Sequence, residues 1–246
     1  MANPDRGQRK VAVITGGGSG IGLAMAMAFA RAGYSLVISG RNEARLKAAV
    51  DQIKSDQLKD ITPGISAVVC DVRESTSVSA FFAQLRNDHP TIDVLINNAG
   101  VAHALSPVEQ LPIETWKEVI DTNLTGTFLV TQAALPMMQA GATIVNNLSI
   151  AATHPFAGMS AYNASKFGAM GFTKALREEL RRKGIRVLAL LPGAIDTEIW
   201  SQFWADAPRE KMVSADTVAQ AVLHAVSAPA NATIEELQIG PTIGVL

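Results

Sequence analysis

Tyr162 and Lys166 stand four positions apart in Ser160-Ala161-Tyr162-Asn163-Ala164-Ser165-Lys166, inside a stretch with a helical pattern. That spacing puts phenol and ammonium on one helix face, a turn apart. A positive charge nearby favours the phenolate, so it is expected to lower the Tyr162 pKa from the reference of about 10. Tyr162 would then donate a proton to a developing alkoxide, or take one in the reverse direction. Taken alone, the pair also describes an ordinary helix with a half-buried tyrosine and an exposed lysine. Thirteen residues before Tyr162, Ser149 ends the run Ile144-Val145-Asn146-Asn147-Leu148-Ser149. A hydroxyl at a strand's carboxyl end donates to a substrate oxygen and steadies charge there, or it simply caps a turn.

The second chemical signal lies near the start. Val11-Ala12-Val13-Ile14-Thr15 runs straight into Gly16-Gly17-Gly18-Ser19-Gly20-Ile21-Gly22 and then a helical pattern. Strand, glycine turn and helix form the context in which such a motif cradles a pyrophosphate. The glycines let backbone approach the phosphates, and the helix start offers unpaired N–H groups and a positive dipole end. The candidate residues are Gly16, Ser19, Gly20, Ile21 and Gly22.

These pieces need a scaffold, and the hydrophobic pattern supplies one. Short, nearly continuous apolar runs predict strands at Val11–Thr15, Leu36–Ser39, Ser66–Cys70, Val94–Asn97, Thr143–Leu148, Arg186–Leu191 and Leu237–Ile239. Such runs mark strands buried on both faces of a parallel sheet. Helices are predicted between them at Ile21–Ala32, Asn42–Ser55, Ser75–Asn87, Thr115–Met138, Ala161–Lys183 and Ala215–Ser227. Asn42 and Ser214 are placed to cap helix starts, and Gly33 and Gly184 to end helices. The expected architecture is α/β: one doubly wound Rossmann domain over residues 1–246, with a mostly parallel seven-stranded sheet flanked by helices. Its ligand crevice should open beyond the carboxyl ends of the strands. The long stretch Gly193–Val213 has the length of a substrate-binding loop.

The glycine spacing is T-G-x-x-x-G-x-G, and with Tyr-x-x-x-Lys and Ser149 in this order the whole chain resembles the short-chain dehydrogenase/reductases. The resemblance implies hydride transfer between a nicotinamide cofactor and a carbonyl or secondary alcohol. Tyr162 would be the acid, Ser149 the holder of the substrate oxygen, and Lys166 a partner of the phenol that also binds the nicotinamide ribose. Asn123, in Asn123-Leu124-Thr125-Gly126, resembles the family's N-x-x-G segment, where it would help link Lys166 to solvent. Asn and Gly are poor helix residues, so a local distortion is expected there. Further segments match in turn. Asp71 would accept from the adenine amino group and Val72 would offer its backbone N–H. Asn97, Ala99 and Gly100 belong to an N-N-A-G signature beneath the cofactor ribose. Pro192, Gly193, Ile195 and Thr197 match P-G-x-x-x-T, which holds the nicotinamide amide and phosphate. Relatives often read N-I-S-S where this chain has Asn146-Asn147-Leu148-Ser149.

Cofactor choice turns on Gly40 and Arg41. Family members that use NAD carry an aspartate where Gly40 stands, and a carboxylate there accepts from the ribose hydroxyls. A guanidinium instead clamps a 2′-phosphate with two hydrogen bonds. NADP(H) is therefore expected, with NAD the lesser choice; Ser19 stands where many NADP users keep a second basic residue.

The balance of 21 basic against 22 acidic side chains, net −1, argues against nucleic-acid or membrane-surface partners. Cys70 has no disulfide partner and the first ten residues lack an apolar run, so a cytoplasmic protein is expected. The four histidines show no metal-ligand spacing. His154 and Trp200 are candidate substrate contacts beside Ser149 and Tyr162, with His103, Phe156, Met159, Ile199, Phe203 and Trp204 as further pocket lining. The C-terminal Ile234–Thr242 segment resembles the NADP-dependent branch acting on small hydroxy acids and related alcohols. Relatives pair the helices read at Thr115–Met138 and Ala161–Lys183 between subunits, so a homodimer or homotetramer is expected. The competing reading is a catalytically silent NADP-binding scaffold or interaction protein.

Overall fold

The computed structural model describes residues 9–56 and 64–244. The start of the chain, where no leader is expected, lies outside them as far as residue 8. Seven strands build the main sheet: β1 (Val11–Thr15), β2 (Ser35–Gly40), β3 (Ile65–Val69), β4 (Ile92–Asn97), β5 (Met138–Asn147), β6 (Arg186–Pro192) and β9 (Glu236–Ile239). Their order is β3-β2-β1-β4-β5-β6-β9, and every neighbouring pair is parallel. The chain winds outward from β1 to β3, then crosses back to β4, so the order reverses between β1 and β4. At such a switch point the loops leave in opposite directions and open a crevice.

Helices α1 (Gly20–Arg31), α2 (Glu43–Ser55) and α7 (Ala215–Val226) cover one face, and α3 (Ser75–Asp88), α5 (Gly126–Ala134) and α6 (Ser160–Arg181) the other. Strand β1 shows why its sequence is apolar throughout. Ala12 and Ile14 pack toward α1, whereas Val11 and Val13 pack toward the opposite layer. Burying a side chain such as Ile14 or Phe29, both fully enclosed, contributes about 1.5–3 kcal/mol each. Asn42 accepts from Arg45 N at 2.9 Å and Ser214 from Thr217 N at 3.1 Å, so both cap as their types predict. Gly33 and Gly184 take φ of +85° and +68° past the ends of α1 and α6, a conformation costly for any residue with a Cβ.

Two elements differ from the sequence reading. The single helix expected over Thr115–Met138 is instead α4 (Ile113–Ile120), a π-helical turn (Asp121–Thr125), α5 and a 3-10 turn (Leu135–Met137). Pro136, lacking an N–H, ends the helical run, and β5 begins at Met138, earlier than the expected Thr143. The stretch after β6 is less irregular than expected. It forms a short strand β7 (Ile195–Asp196), two 3-10 turns, and β8 (Val213–Ser214) paired parallel with β7. No helix among the described residues is long and apolar enough to cross a membrane.

Candidate active site

The first glycine turn is built by close approach. Gly16 has φ +64° and Gly20 φ +53°, both left-handed. A Cβ on Gly22 would lie 2.2 Å from Gly16 O and 2.4 Å from Asn98 Nδ2, so α1 starts where only glycine fits. Ser19 precedes α1 without a side-chain cap, leaving the helix start open toward the crevice. Thr15 and Asn98 tie the turn to β4. Thr15 Oγ1 accepts from Asn98 N and Ala99 N at 3.0 and 3.1 Å, and Asn98 Nδ2 donates to Thr15 O and Gly16 O.

A cavity of about 690 Å³ runs from this turn to the carboxyl ends of β5 and β6. Gly16, Ser19, Gly20, Ile21, Arg41, Ala99, Gly100, Pro192, Gly193, Ile195 and Thr197 line it, as do Ser149, Tyr162, Lys166 and Trp200. Gly22 stands behind the turn. Asn97 is buried below, donating to Thr131 Oγ1 and Asn146 Oδ1 at 2.8 and 2.9 Å. Asp71 and Val72 do not line the cavity. Arg73 grips the Asp71 carboxylate through its backbone N–H and guanidinium, holding that carboxyl below the usual range. Val72 is buried against Gly126, where a Cβ would come within 2.7 Å of Val72 Cγ2. His154 is exposed and pairs with Thr153 Oγ1 at 2.9 Å, off the cavity wall, while His103 is buried with Nδ1 on Ala104 O.

Ser149, Tyr162 and Lys166 share one wall. Ser149 Oγ accepts from Ala151 N at 3.1 Å, so the capping role holds, yet its O–H remains able to donate. Burial pushes the Tyr162 phenol above its ordinary pKa, and a hydrogen bond with Ser149 pulls less strongly the other way. The direction is opposite to that expected from the Lys166 charge alone. The ammonium sits over the ring, 5.5 Å from its centre, and donates to Asn147 O at 3.1 Å. Desolvation therefore sets the direction at the phenol. It also lowers Lys166 to about 8.

Asn123 lies in the π-helical turn, where the expected distortion occurs. Its Oδ1 accepts from Val101 N at 2.9 Å, and its Nδ2 donates to Val101 O and Ser165 Oγ. A Cβ on Gly100 would meet Asn123 Oδ1 at 3.3 Å and Lys166 Nζ at 3.8 Å, so the two side chains flank that glycine.

Several contributors carried no signal of their own in the sequence. Asn147 Nδ2 donates to Asn98 Oδ1 at 2.7 Å and joins the glycine turn to the β5 end. Asn163 holds the Ala151–Phe156 turn through Ala151 O, His154 O and Phe156 N, each at 3.1 Å. Arg45, in the first turn of α2, lines the cavity together with Arg41, which precedes that helix. At Gly40 a Cβ would find only ordinary contact, 3.6 Å from Leu46, so space does not forbid the missing acid.

A doubly wound sheet, a glycine cradle at its switch point and a Ser-Tyr-Lys wall define a dinucleotide-dependent oxidoreductase. Residues 10–208 match the short chain dehydrogenase family, and the chain belongs to it. Sulfoacetaldehyde reductase 2 of Chromohalobacter salexigens is 34% identical over 243 residues, spanning 94% of each chain. An alcohol dehydrogenase from the archaeon Thermococcus sibiricus, solved with 5-hydroxy-NADP, superposes with TM-score 0.85 at 27% identity over 96% of this chain and 98% of that one. The closed form of serine dehydrogenase with NADP+ gives TM-score 0.85 and 27% identity over 96% of both. The protein is a dehydrogenase/reductase acting on CH–OH groups.

Proposed function

We propose that the chain transfers a hydride between NADP(H) and a small carbonyl or secondary alcohol by a Ser149-Tyr162-Lys166-Asn123 mechanism. The observation carrying this reading is that Ser149, Tyr162 and Lys166 meet on one wall of the cavity whose other end holds the glycine turn, Arg41 and Arg45. The residues fit the cofactor. Gly16, Gly20 and the open start of α1 accept a diphosphate, and Arg41 and Arg45 offer guanidinium groups to a 2′-phosphate. NADP-bound relatives support the choice over NAD. Pro192, Gly193, Ile195 and Thr197 line the same cavity as Ser149. When bound, the cofactor supplies the hydride to the carbonyl carbon.

The chain's own residues do the rest. Ser149 donates to the carbonyl oxygen and holds it beside Tyr162. Tyr162, a phenol and therefore protonated at neutral pH, hands its proton to that oxygen as negative charge develops. Lys166 stabilises the phenolate left behind and anchors the ribose hydroxyls. Asn123 fixes the π-helical turn beside Lys166, from which the phenolate regains its proton. Pairing of α5 and α6 between copies is part of the same proposal; Phe128 and Phe167 remain 42% and 45% exposed on them.

Tyr162→Phe tests the acid. It should reduce turnover on the order of 10²–10⁴-fold while leaving NADPH affinity, read by fluorescence titration, close to wild type. Retained turnover would falsify the assignment, and tighter binding of NADH than NADPH would overturn the cofactor choice.

A further inference from the structure

Resting on the oxidoreductase reading above, we infer that the substrate is an uncharged carbonyl or alcohol with an apolar ring or chain. A small anionic acid or sulfonate does not suit this site. The C-terminal resemblance to enzymes of small hydroxy acids pointed elsewhere, and the cavity wall is what separates the two readings. Besides Tyr162, the ionisable groups lining the cavity are Arg41, Arg45, Lys166 and Glu198. Arg41 and Arg45 follow β2 at the glycine-turn end, and Arg45 pairs with Glu198 at 3.7 Å. Lys166 is committed to Asn147 O and the Tyr162 ring face. Among the described residues that line the cavity, no further arginine or lysine is left to pair a carboxylate or sulfonate, and an unpaired anion in an apolar pocket is costly.

The apolar lining of the same cavity is instead Leu105, Ile150, Phe156, Met159, Trp200 and Phe203. It is held in place before any ligand arrives. Trp200 Nε1 donates to Ile195 O at 2.8 Å, which uses up its one polar atom and leaves an apolar surface. Phe203 packs tilted and Trp204 edge-on against Trp200, with ring centres 4.9 and 6.0 Å away. Asn163 pins the turn carrying Phe156, and Leu105 stands beside Gly158. A largely apolar wall, with Ser149 and Tyr162 at one end and the neutral Ser201 and Gln202 between Trp200 and Phe203, selects a ligand with one oxygen at one end and hydrocarbon at the other. In the reducing direction the carbonyl carbon gains the hydride from NADPH and its oxygen gains the Tyr162 proton, giving the alcohol and NADP+.

The test is NADPH oxidation by the purified protein with matched carbonyls. Cyclohexanone, larger cycloalkanones and aryl alkyl ketones form one series; sulfoacetaldehyde, glyoxylate and other 2-oxo acids form the second. Within the first series kcat/KM should rise about fourfold per added methylene until the wall is filled. Neutral ketones should exceed the anions by about 100-fold or more. Phe203→Arg, on the exposed turn, should narrow that gap from both sides without changing NADPH affinity. Titrating an aryl ketone into the Tyr162→Phe–NADPH complex should quench indole fluorescence, and Trp200→Phe should remove most of that response. Preference for an anionic carbonyl would overturn the substrate class and leave the oxidoreductase reading intact. NADPH binding with no oxidation by either series would remove both.

Discussion

Lys166 carries the sharpest residue-scale consequence of the site's burial. It is 6% exposed, and desolvation alone moves its pKa from 10.5 to about 8. The folded protein therefore holds this proton less tightly than the unfolded chain. Between about pH 8 and 10.5 the unfolded state binds more protons, so stability attributable to this group rises with pH across that window. Below pH 8 the full penalty of a buried ammonium is present, up to about 3 kcal/mol. Lys166→Met removes the charge while keeping the stem's packing. The cofactor-free variant should melt above wild type at pH 7, and the gap should close as pH approaches 10.5. A constant gap in a pH series of thermal melts would place the cost elsewhere.

At the scale of elements, the cofactor end rests on β1, β4 and β5 being clamped to one another through side chains. Asn98 reaches both Gly16 O and Asn147, while Asn97, Asn146, Thr131 and Thr173 form a buried polar row beneath. Gly22 sits at the tightest point. Gly22→Ala would gain up to about 1 kcal/mol of helix propensity. The new Cβ would meet a backbone oxygen at 2.2 Å, however, and that cannot swing aside. The variant should lose at least tenfold in NADPH affinity and melt lower. Gly18→Ala, whose Cβ would meet nothing nearer than 3.6 Å, should bind NADPH almost normally. Equal behaviour of the two would remove close packing as the reason for the glycine. This contrast also shows what was legible beforehand. Strands buried on both faces announce themselves as continuous apolar runs, and the glycine turn, Ser149, Tyr162 and Lys166 are linear signals at fixed spacing. Asn123 and Gly126 announced a distortion within the expected Thr115–Met138 helix, but its π-helical form was hidden, because that turn is held by Val101 and Ser165, far away in the chain. Asn147, Asn163 and Arg45 were hidden likewise: a pocket's second wall comes from folding distant segments together, and no local pattern records it.

For the whole molecule, the question is what covers α5 and α6. The chain is 48% hydrophobic and 17% charged, and part of that excess faces outward on these two helices. Phe128 packs its ring edge on Phe172, centres 6.1 Å apart, yet 42% of it stays exposed; Phe167 is 45% exposed. A two-fold pairing would bury each of these residues twice, once per copy, while the active-site wall on the inner side of α6 is unaffected. The purified protein should therefore sediment at two or four times 26.0 kDa at micromolar concentration. Phe128→Asp combined with Phe167→Asp should yield a 26.0-kDa particle, because each carboxylate would otherwise be desolvated without a partner. That particle should still bind NADPH, since Gly16, Arg41 and Thr197 belong to other elements. Wild type sedimenting as a single chain would show that these faces are ordinary surface, and an oligomer unmoved by both substitutions would place the contact on another face.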